Sequence, residues 1–267
     1  MSNEDAAKDG KSELSDVAEA HAQSCFISDL HLCDERPRIN DIFIDFVERV
    51  APQAEALYIL GDLFEYWIGD DDVNNALAAR VAESLAALSS SGIKVFLMQG
   101  NRDVVMGEAY ARRCGATLIP DPTVIDLYGT RTLLMHGDTL CTDDIEYQKF
   151  RAYIRNPQTQ AKLLAQPLAT RHAQAQAIRA QSESSKIGKA EEIMDVSISA
   201  VHDALQLHQT PRLIHGHTHR PMRHQHVVHQ QTCDRWVLGS WYEAGSYLRY
   251  GLDGCQSVTL QAQKNEK

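Results

Sequence analysis

Short apolar runs alternate with helical patterns along most of the chain. Runs at residues 25–27, 56–60, 93–98, 133–135 and 213–214 have the length and composition of buried β-strands. Apolar residues at helical spacing follow the first two runs, at Ile39, Ile42, Phe43, Phe46, Val47 and Val50, and then at Leu77, Val81, Leu85 and Leu88. Gly92 is a stop signal after the second helix. Strands that alternate with amphipathic helices predict an α/β fold.

Each of the five apolar runs ends in a turn with residues that can bind a metal ion or a phosphate. The turns carry, in chain order, Asp29 and His31, Asp62, Asn101, His136, and the pair His217 and His219. In open α/β sheets, ligands gather beyond the carboxyl ends of the strands. We therefore expect these turns to lie together and form one site.

Three regions depart from this pattern. Residues 1–22 are polar and acidic without apolar periodicity, which predicts a disordered tail before one domain at 23–267. Between His136 and Leu213 the sequence is helical and rich in Ala, Gln, Leu and Arg, which predicts a helical cap inserted at about residues 146–208. Runs at 235–239, 246–250 and 256–260 predict strands of a closing sheet.

Charge is distributed unevenly. The chain has 26 Lys and Arg against 36 Asp and Glu, a net charge of -10, which argues against a general nucleic-acid-binding protein. Residues 149–189, however, contain eight basic residues and one acidic residue. These charges indicate either a solvated helical face or a surface for an anionic partner or membrane, and the asymmetry favours the second interpretation.

The chain shows no signal for export or membrane insertion. No apolar run approaches the roughly 20 residues of a membrane span, and the N-terminus lacks the apolar core of a signal peptide. Six scattered cysteines without a CxxC pair are expected to be reduced thiols. We therefore expect a protein that stays in the cytoplasm.

The seven candidate ligands combine carboxylate, amide and imidazole donors. Such a mixture suits borderline-hard divalent ions such as Mn²⁺, Fe²⁺ or Zn²⁺ better than a thiolate site does. The Asp-x-His and His-x-His spacings at 29–31 and 217–219 bring both side chains to one site only where a strand ends and twists into a loop. Two ions roughly 3.5–4 Å apart, sharing one carboxylate, would clamp phosphoryl oxygens and activate a water.

Each residue also has an interpretation without metal. Asp29 and Asp62 are the residue type of helix N-caps, His136 could be a buried core histidine, and Asn101 could be an ordinary turn residue. His215 could replace His219 as a ligand, and we assign it a supporting role. We expect no role for His224, His226 and His229. Because five separate turns each carry a ligand-type residue, the metal interpretation is favoured.

The motifs in these turns resemble those of the calcineurin-like metallophosphoesterases. The matching strings lie at residues 29–31, 61–65, 100–103, 136–138 and 216–219. The resemblance implies a sandwich of two mixed β-sheets flanked by helices, with the cap as an insertion. It assigns one metal ion to Asp29, His31, Asp62 and His219. It assigns a second metal ion to Asp62, Asn101, His136 and His217, so that Asp62 bridges the two.

Longer strings at residues 59–71, 136–144 and 214–221 are similar to a narrower family, the UDP-2,3-diacylglucosamine pyrophosphohydrolases of lipid A biosynthesis. This resemblance implies hydrolysis of UDP-2,3-diacylglucosamine to UMP and 2,3-diacylglucosamine 1-phosphate by a water that two divalent ions, expected to be Mn²⁺, activate. It also implies peripheral binding to the cytoplasmic face of the bacterial inner membrane. No nucleic acid and no protein partner are implied.

The resemblance also suggests catalytic and substrate-binding residues. Asn101, Arg102 and His217 are the expected catalytic residues. Arg102 stands where the broad superfamily usually has His, and its guanidinium can hold phosphate oxygens without giving up a proton. Expected substrate contacts are Asn101, Arg102, Asp144, Ser182, Lys186, Lys189 and His217. Apolar cap residues Tyr153, Ile154, Leu163, Leu164 and Leu168 are candidates for a slot that hides the acyl chains.

Two other functions are compatible with the same pattern. One is a soluble nucleotide phosphodiesterase on the same metal core, against which the basic cap argues. The other is a binding module that kept the fold and lost catalysis, which predicts missing ligands. All seven expected ligands are present.

Overall fold

The computed structural model describes residues 23–186 and 195–260, and describes side chains for 23–180 and 195–260. Eleven strands in these residues form two mixed sheets. Helices pack on the outer face of each sheet. This is the α/β sandwich predicted from the sequence.

The first sheet holds the strands that precede four of the seven candidate ligands. Its members are β1 (Gln23–Ile27), β2 (Ala56–Leu60), β3 (Lys94–Met98), β4 (Thr117–Ile119), β10 (Gly245–Gly251) and β11 (Gly254–Leu260). They lie in the order β11-β10-β1-β2-β3-β4. Strands β1 to β4 are parallel, so their carboxyl ends meet at one edge of the sheet.

The strands of the second sheet precede the other three ligands. It consists of β5 (Thr123–Leu127), β6 (Thr130–Met135), β7 (Arg212–His215), β8 (Met222–Val228) and β9 (Gln231–Val237). Their order is β5-β6-β7-β9-β8, and β6, β7 and β9 are parallel. Between the two sheets, Phe26, Leu60 and Met98 of the first sheet share a buried core with Leu134 and Ile214 of the second.

Among the described residues, three α-helices cover the first sheet. They are α1 (Pro37–Arg49), α2 (Ala76–Ser90) and α3 (Glu108–Arg113). The apolar face of α1 is buried against the sheet, as its helical spacing predicts. The Asn75 side chain caps α2 by accepting a hydrogen bond from the Ala78 N–H at 2.9 Å, and Gly92 follows its end in a left-handed conformation.

The strands near the C-terminus do not form one closing sheet. Strand β9 joins the second sheet, whereas β10 and β11 extend the first. That expectation was therefore wrong in its pairing, because the chain crosses from one sheet to the other at residues 238–244. All six cysteines are free.

Four α-helices lie between β6 and β7 in the part of the chain that the structure describes. Three of them, α4 (Ile145–Ile154), α5 (Pro157–Leu164) and α6 (Leu168–Lys186), form what we call the helical segment, residues 145–186. The fourth, α7 (Ile198–His208), buries Val201 and Leu205 against Leu133 and Leu213 of the second sheet. Helix α7 is therefore a layer of the sandwich rather than part of the helical segment. None of the described helices has the length and apolarity needed to cross a bilayer.

Candidate metal centre and substrate cleft

The strand ends bring the seven candidate ligands to one edge of the sandwich. Asp29 and His31 follow β1, Asp62 follows β2, and Asn101 follows β3, whereas His136 follows β6 and His217 and His219 follow β7. Backbone hydrogen bonds join the turns, from Asp29 N to Gly61 O at 3.1 Å and from Gly216 N to His136 O at 2.9 Å. Register within each sheet therefore fixes how the turns sit beside one another.

Five of the seven ligands have left-handed backbone conformations. Their φ angles are 55° at Asp29, 51° at His31, 53° at Asp62, 68° at His217 and 57° at His219. This region costs about 1–2 kcal/mol for a residue with a Cβ atom. The left-handed turn explains how residues i and i+2 reach one site. Strain that is concentrated at polar residues is typical of a functional site.

Two glycines allow the turns to approach closely. A Cβ atom at Gly100 would overlap the Asp62 carboxylate, and one at Gly216 would overlap the Asp29 carboxylate. Any larger residue would push the ligand-bearing turns apart. The glycines in the motifs are therefore required by the packing of the site.

The ligand atoms form two adjoining groups. In the first, His219 Nε2 lies 3.3 Å from Asp29 Oδ1 and 3.4 Å from His31 Nε2. In the second, Asn101 Oδ1 lies 3.0 Å from His136 Nε2 and 3.0 Å from His217 Nδ1.

Asp62 lies between the two groups. Its Oδ2 is 3.8 Å from His31 Nε2, and its Oδ1 is 3.8 Å from His136 Nε2. One carboxylate therefore faces the ligand atoms of both groups.

The donor set fits divalent cations. Ligand atoms of Asp29, His31 and His219 lie within 4.8 Å of one another, as do those of Asp29, Asp62 and His136. Asp29 Oδ1 is buried and accepts no hydrogen bond within the described residues. Buried carboxylates normally have partners, so such an oxygen is consistent with a cation site.

The pKa values of the site reflect its burial. Burial raises the pKa of Asp62 to about 7, and the carboxylates of Asp103 and Asp29 act in the same direction. Burial alone would lower the pKa of His136, but Asp62 and Asp138 reverse this effect and raise it to about 9. Without a cation, protons would have to balance these clustered carboxylates.

Two further acidic residues support the turns and were not predicted as site residues. Asp103 accepts hydrogen bonds from Gly100 N at 2.7 Å and Leu63 N at 2.8 Å, which ties the turn after β3 to the turn after β2. Asp138 accepts hydrogen bonds from Tyr147 Oη and Arg151 Nε, each at 2.8 Å. Both residues lie inside the matched motifs, but the sequence did not indicate that they support the turns.

His215 faces away from the candidate ligands. Arg235 Nη1 lies 3.3 Å from His215 Nε2, and a guanidinium can only donate, so this nitrogen accepts. His215 Nδ1 then carries the proton and donates to Gly216 O at 2.9 Å. Burial and the Arg235 charge lower the pKa of His215 to about 3. The contact with Gly216 O ties His215 to the turn that carries His217 and His219, and its supporting role remains a prediction.

The other interpretations of the candidate residues can also be compared with the structure. Neither Asp29 nor Asp62 is a helix N-cap, because Arg36 and Asn75 hold those positions before α1 and α2. His136 is buried, with Nδ1 3.0 Å from Leu60 O, while its Nε2 faces Asn101.

The three histidines for which no role is expected lie on or beside β8. His224 and His226 are on β8, and His229 follows it.

A cleft of about 620 Å³ opens between the ligand turns and the helical segment. Its polar end includes His31, Asp62, Asn101, Arg102, Asp144 and His217, and its apolar walls include Val104, Val105, Phe150, Ile154, Leu163 and Ile178. Five cap residues were expected to contact acyl chains. Of these, Ile154 and Leu163 line the cleft, whereas Tyr153, Leu164 and Leu168 do not. The Tyr153 side chain is 63% exposed.

The expected substrate contacts fall into two sets. Asn101, Arg102, Asp144 and His217 line the cleft. Asp144 also caps α4, because its Oδ1 accepts a hydrogen bond from Tyr147 N at 3.1 Å. The side chains of Ser182 and Lys186 lie outside those that the structure describes, and Lys189 lies outside the described residues altogether.

Much of the positive charge of the helical segment is directed at the sandwich. Arg151 pairs with Asp138 at 2.8 Å, Arg179 Nε lies 3.4 Å from Glu65 Oε1, and Arg171 pairs with Asp71. Arg155 Nη2 donates to Gly100 O at 3.1 Å. These contacts attach the segment to the ligand turns, so an external anion is not needed to explain these four charges.

Comparison with known proteins gives consistent matches. The profile of the calcineurin-like phosphoesterase family matches residues 24–221. A UDP-2,3-diacylglucosamine hydrolase of Xanthomonas axonopodis pv. citri is 52% identical over 242 residues, which cover 88% of this chain and 98% of that protein. A UDP-2,3-diacylglucosamine hydrolase of Aromatoleum aromaticum is 50% identical over 225 residues, covering 84% and 91%.

Proposed function

The chain belongs to the calcineurin-like phosphoesterase family, and from this premise we propose that it hydrolyses UDP-2,3-diacylglucosamine to UMP and 2,3-diacylglucosamine 1-phosphate. The similarity to hydrolases of that name over nearly their whole length supports the substrate. The main support for the proposal is the cleft, in which five of the seven clustered ligands adjoin apolar walls. A substrate with a pyrophosphate and two acyl chains requires both the polar end of the cleft and its apolar walls.

The proposed cofactors are two divalent metal ions, with Mn²⁺ as the expected ion. Asp29, His31, Asp62 and His219 would hold one, and Asp62, Asn101, His136 and His217 the other. When bound, such a pair lowers the pKa of water and neutralises charge on phosphoryl oxygens.

Three residues at the polar end of the cleft are the proposed catalytic groups. Arg102 has its backbone N–H 2.8 Å from Asp62 Oδ1, which fixes the start of its side chain beside the bridging carboxylate. Its guanidinium can hold phosphoryl oxygens as negative charge develops on them. Asn101 and His217 contact each other at 3.0 Å and would orient the same phosphoryl group.

The remaining substrate contacts would hold the rest of the molecule. Asp144 lies at the polar end of the cleft, where it can accept hydrogen bonds from hydroxyl groups. Ser182, Lys186 and Lys189 are proposed contacts from the sequence resemblance alone. The acyl chains would lie along Val105, Phe150 and Ile178, where apolar surface is removed from water.

We propose peripheral binding at the cytoplasmic face of the bacterial inner membrane, where a diacylated substrate resides. Phe150 and Ile178 are 39% and 41% exposed and line the cleft, so an acyl chain could reach it from a lipid surface.

Product analysis tests the proposal. The protein is incubated with UDP-2,3-diacylglucosamine, Mn²⁺ and ¹⁸O-labelled water, and the products are identified by mass spectrometry, with Asp62→Ala as the control for contaminating hydrolases. We expect UMP and 2,3-diacylglucosamine 1-phosphate, one of which carries the label and identifies the phosphorus attacked. Preferential cleavage of soluble nucleotide diesters would support a nucleotide phosphodiesterase, and binding without cleavage would support a binding module.

A further inference from the structure

The Glu65 carboxylate lines the cleft beside His31 and contacts several cationic side chains. It is 5% exposed, and Arg36 Nη2 donates to its Oε2 at 3.2 Å. Its Oε1 lies 3.4 Å from Arg179 Nε and 3.8 Å from Arg102 Nη1. Its Oε2 also lies 3.6 Å from His31 Nδ1. One buried carboxylate thus faces a candidate ligand, a proposed catalytic arginine and the helical segment.

We propose that Glu65 is a positioning residue that holds the His31 ring in its metal-binding tautomer and couples it to Arg102 and Arg179. The inference rests on the proposed function, because it requires His31 to bind a metal ion.

The two nitrogens of His31 have different surroundings. Its Nε2 points to the other ligand atoms, 3.4 Å from His219 Nε2 and 3.8 Å from Asp62 Oδ2. A nitrogen that binds a metal ion carries no proton, so the proton of a neutral ring must be on Nδ1. His31 Nδ1 is buried and has no hydrogen-bond partner within the described residues.

Glu65 supplies the acceptor that this proton requires. A movement of a few tenths of an ångström would convert the 3.6 Å separation into a hydrogen bond. Ligand histidines usually donate their second N–H to a carboxylate or carbonyl, which fixes the ring and makes the ligand nitrogen more basic. Glu65 is placed for this role although it is not among the candidate ligands.

Arg36 strengthens the arrangement from the other side. Its Nη2 contacts both Glu65 Oε2 and the His31 carbonyl oxygen. The same guanidinium therefore holds the carboxylate and the backbone of the ligand that the carboxylate orients. Arg179 reaches Glu65 from α6, so the helical segment and the His31 ring share one anchoring group.

A titration with Mn²⁺ tests the role of Glu65. Metal-free parent, Glu65→Gln and Glu65→Ala proteins are titrated while free Mn²⁺ is measured by electron paramagnetic resonance. Glu83→Gln makes the same chemical change on an exposed residue of α2 and is the matched control. Loss of such a partner typically lowers metal affinity about 10–100-fold. We expect a loss in this range for Glu65→Ala at one of two sites, a smaller loss for Glu65→Gln, and none for Glu83→Gln.

Thermal melting shows whether each variant is folded, so that a change in Mn²⁺ affinity can be distinguished from a general effect on the fold. The amide oxygen of Gln can still accept the His31 proton, so the order parent, Gln, Ala in affinity reports on that hydrogen bond. If Glu65→Ala does not fold, the Gln variant, which has nearly the same shape, carries the test. Unchanged affinity at both sites in a folded variant would overturn the role of Glu65 and leave the proposed function intact. Failure of the parent to bind Mn²⁺ would overturn both.

Discussion

The ligand turns and the helical segment form opposite walls of the cleft, yet they are held in place by different forces. The turns follow strands whose register is fixed in two sheets, and Asp29, His31, Asp62 and His136 are almost completely buried. Helices α4 and α5 bury none of their residues. The helical segment is attached through arginines, including Arg171, which is 3% exposed, and through Ile154 and Leu163, which are only partly buried against the core.

This difference indicates a division of labour. Bond-breaking chemistry needs groups held within fractions of an ångström, and the strand ends provide that rigidity. Substrate selection needs a surface that can change without disturbing the chemistry, and a helical segment held by polar contacts provides it. Changes in the turns should therefore affect turnover of every substrate, whereas changes in the segment should affect the diacylated substrate selectively.

The largest effect is expected when the bridging carboxylate is removed. Asp62→Ala should lose both metal ions, because its carboxylate lies between the two ligand groups, 3.8 Å from a histidine of each. We expect activity on all substrates to fall by more than the about 10²–10³-fold that loss of one electrostatic donor costs. Metal content and turnover should be compared with Asp41→Ala, a surface carboxylate that pairs with Arg80. Two ions retained by Asp62→Ala would contradict this assignment.

Substitutions of Arg102 should affect kcat more than KM. Arg102→Ala should lower kcat about 10²–10³-fold, because its charge acts mainly on the transition state. Arg102→Lys should recover only part of the rate, since it keeps the charge without the planar fork.

The pH dependence of Arg102→His tests the role of the Arg102 charge in a second way. Its imidazole is neutral above a pKa of about 6.5 and charged below it, so activity should rise as pH falls through that value until the metal ligands protonate. Steady-state kinetics between about pH 5 and 8, the range in which His titrates, measure this pH dependence of activity. A His variant as active as the parent near neutral pH would show that charge is not what Arg102 contributes.

Loosening the helical segment should affect the two substrates differently, because it changes only one wall of the cleft. Arg171 donates to Ile68 O at 2.6 Å and to Asp71 Oδ1 at 2.7 Å, and hydrogen bonds to charged groups contribute about 1.5–3 kcal/mol each. Arg171→Ala should raise KM for the diacylated substrate by about tenfold or more. Hydrolysis of a small soluble phosphodiester should stay near the parent level. Arg80→Ala, on the surface, is the control, and equal losses on both substrates would mean that the segment supports the metal centre itself.

The smallest effect is expected in the apolar part of the cleft. Ile178 lines the cleft and is 41% exposed, so Ile178→Ala removes part of a wall without emptying a core. At about 0.8 kcal/mol for each buried methylene group, KM for long-chain substrates should rise a few-fold. Substrates without acyl chains should be unaffected. Leu207→Ala, on α7 outside the cleft lining, is the control and should change KM for neither kind of substrate. An equal rise in KM for both kinds of substrate in Ile178→Ala would argue against acyl-chain contact.

The same division explains which features could be predicted from the sequence. The strand-turn pattern at Asp29, Asp62 and His136 predicted that ligands would converge, because parallel strand ends must meet at one edge. The α/β sandwich is confirmed by the two mixed sheets. The resemblance to the calcineurin-like metallophosphoesterases is confirmed by the family match over residues 24–221. The metal assignments and substrate contacts of individual residues remain predictions.

Features that depend on long-range packing could not be read in this way. Strands β4, β5 and β8 were missed, because each has few apolar residues and most of these are partly buried or exposed. Helix α7 has the same helical pattern as the cap, and only its burial against Leu133 and Leu213 assigns it to the sandwich. The basic residues of the helical segment were interpreted as a surface for an anionic partner, whereas Arg151 and Arg171 pair with acidic residues that are distant in sequence.

Anomalous diffraction from crystals grown with Mn²⁺ tests the central claim, that the turns of the two sheets together hold two metal ions. We expect two manganese peaks roughly 3.5–4 Å apart. Asp62 should lie between them, Asp29, His31 and His219 around one, and Asn101, His136 and His217 around the other. A single peak, or peaks bound by other residues, would contradict this claim.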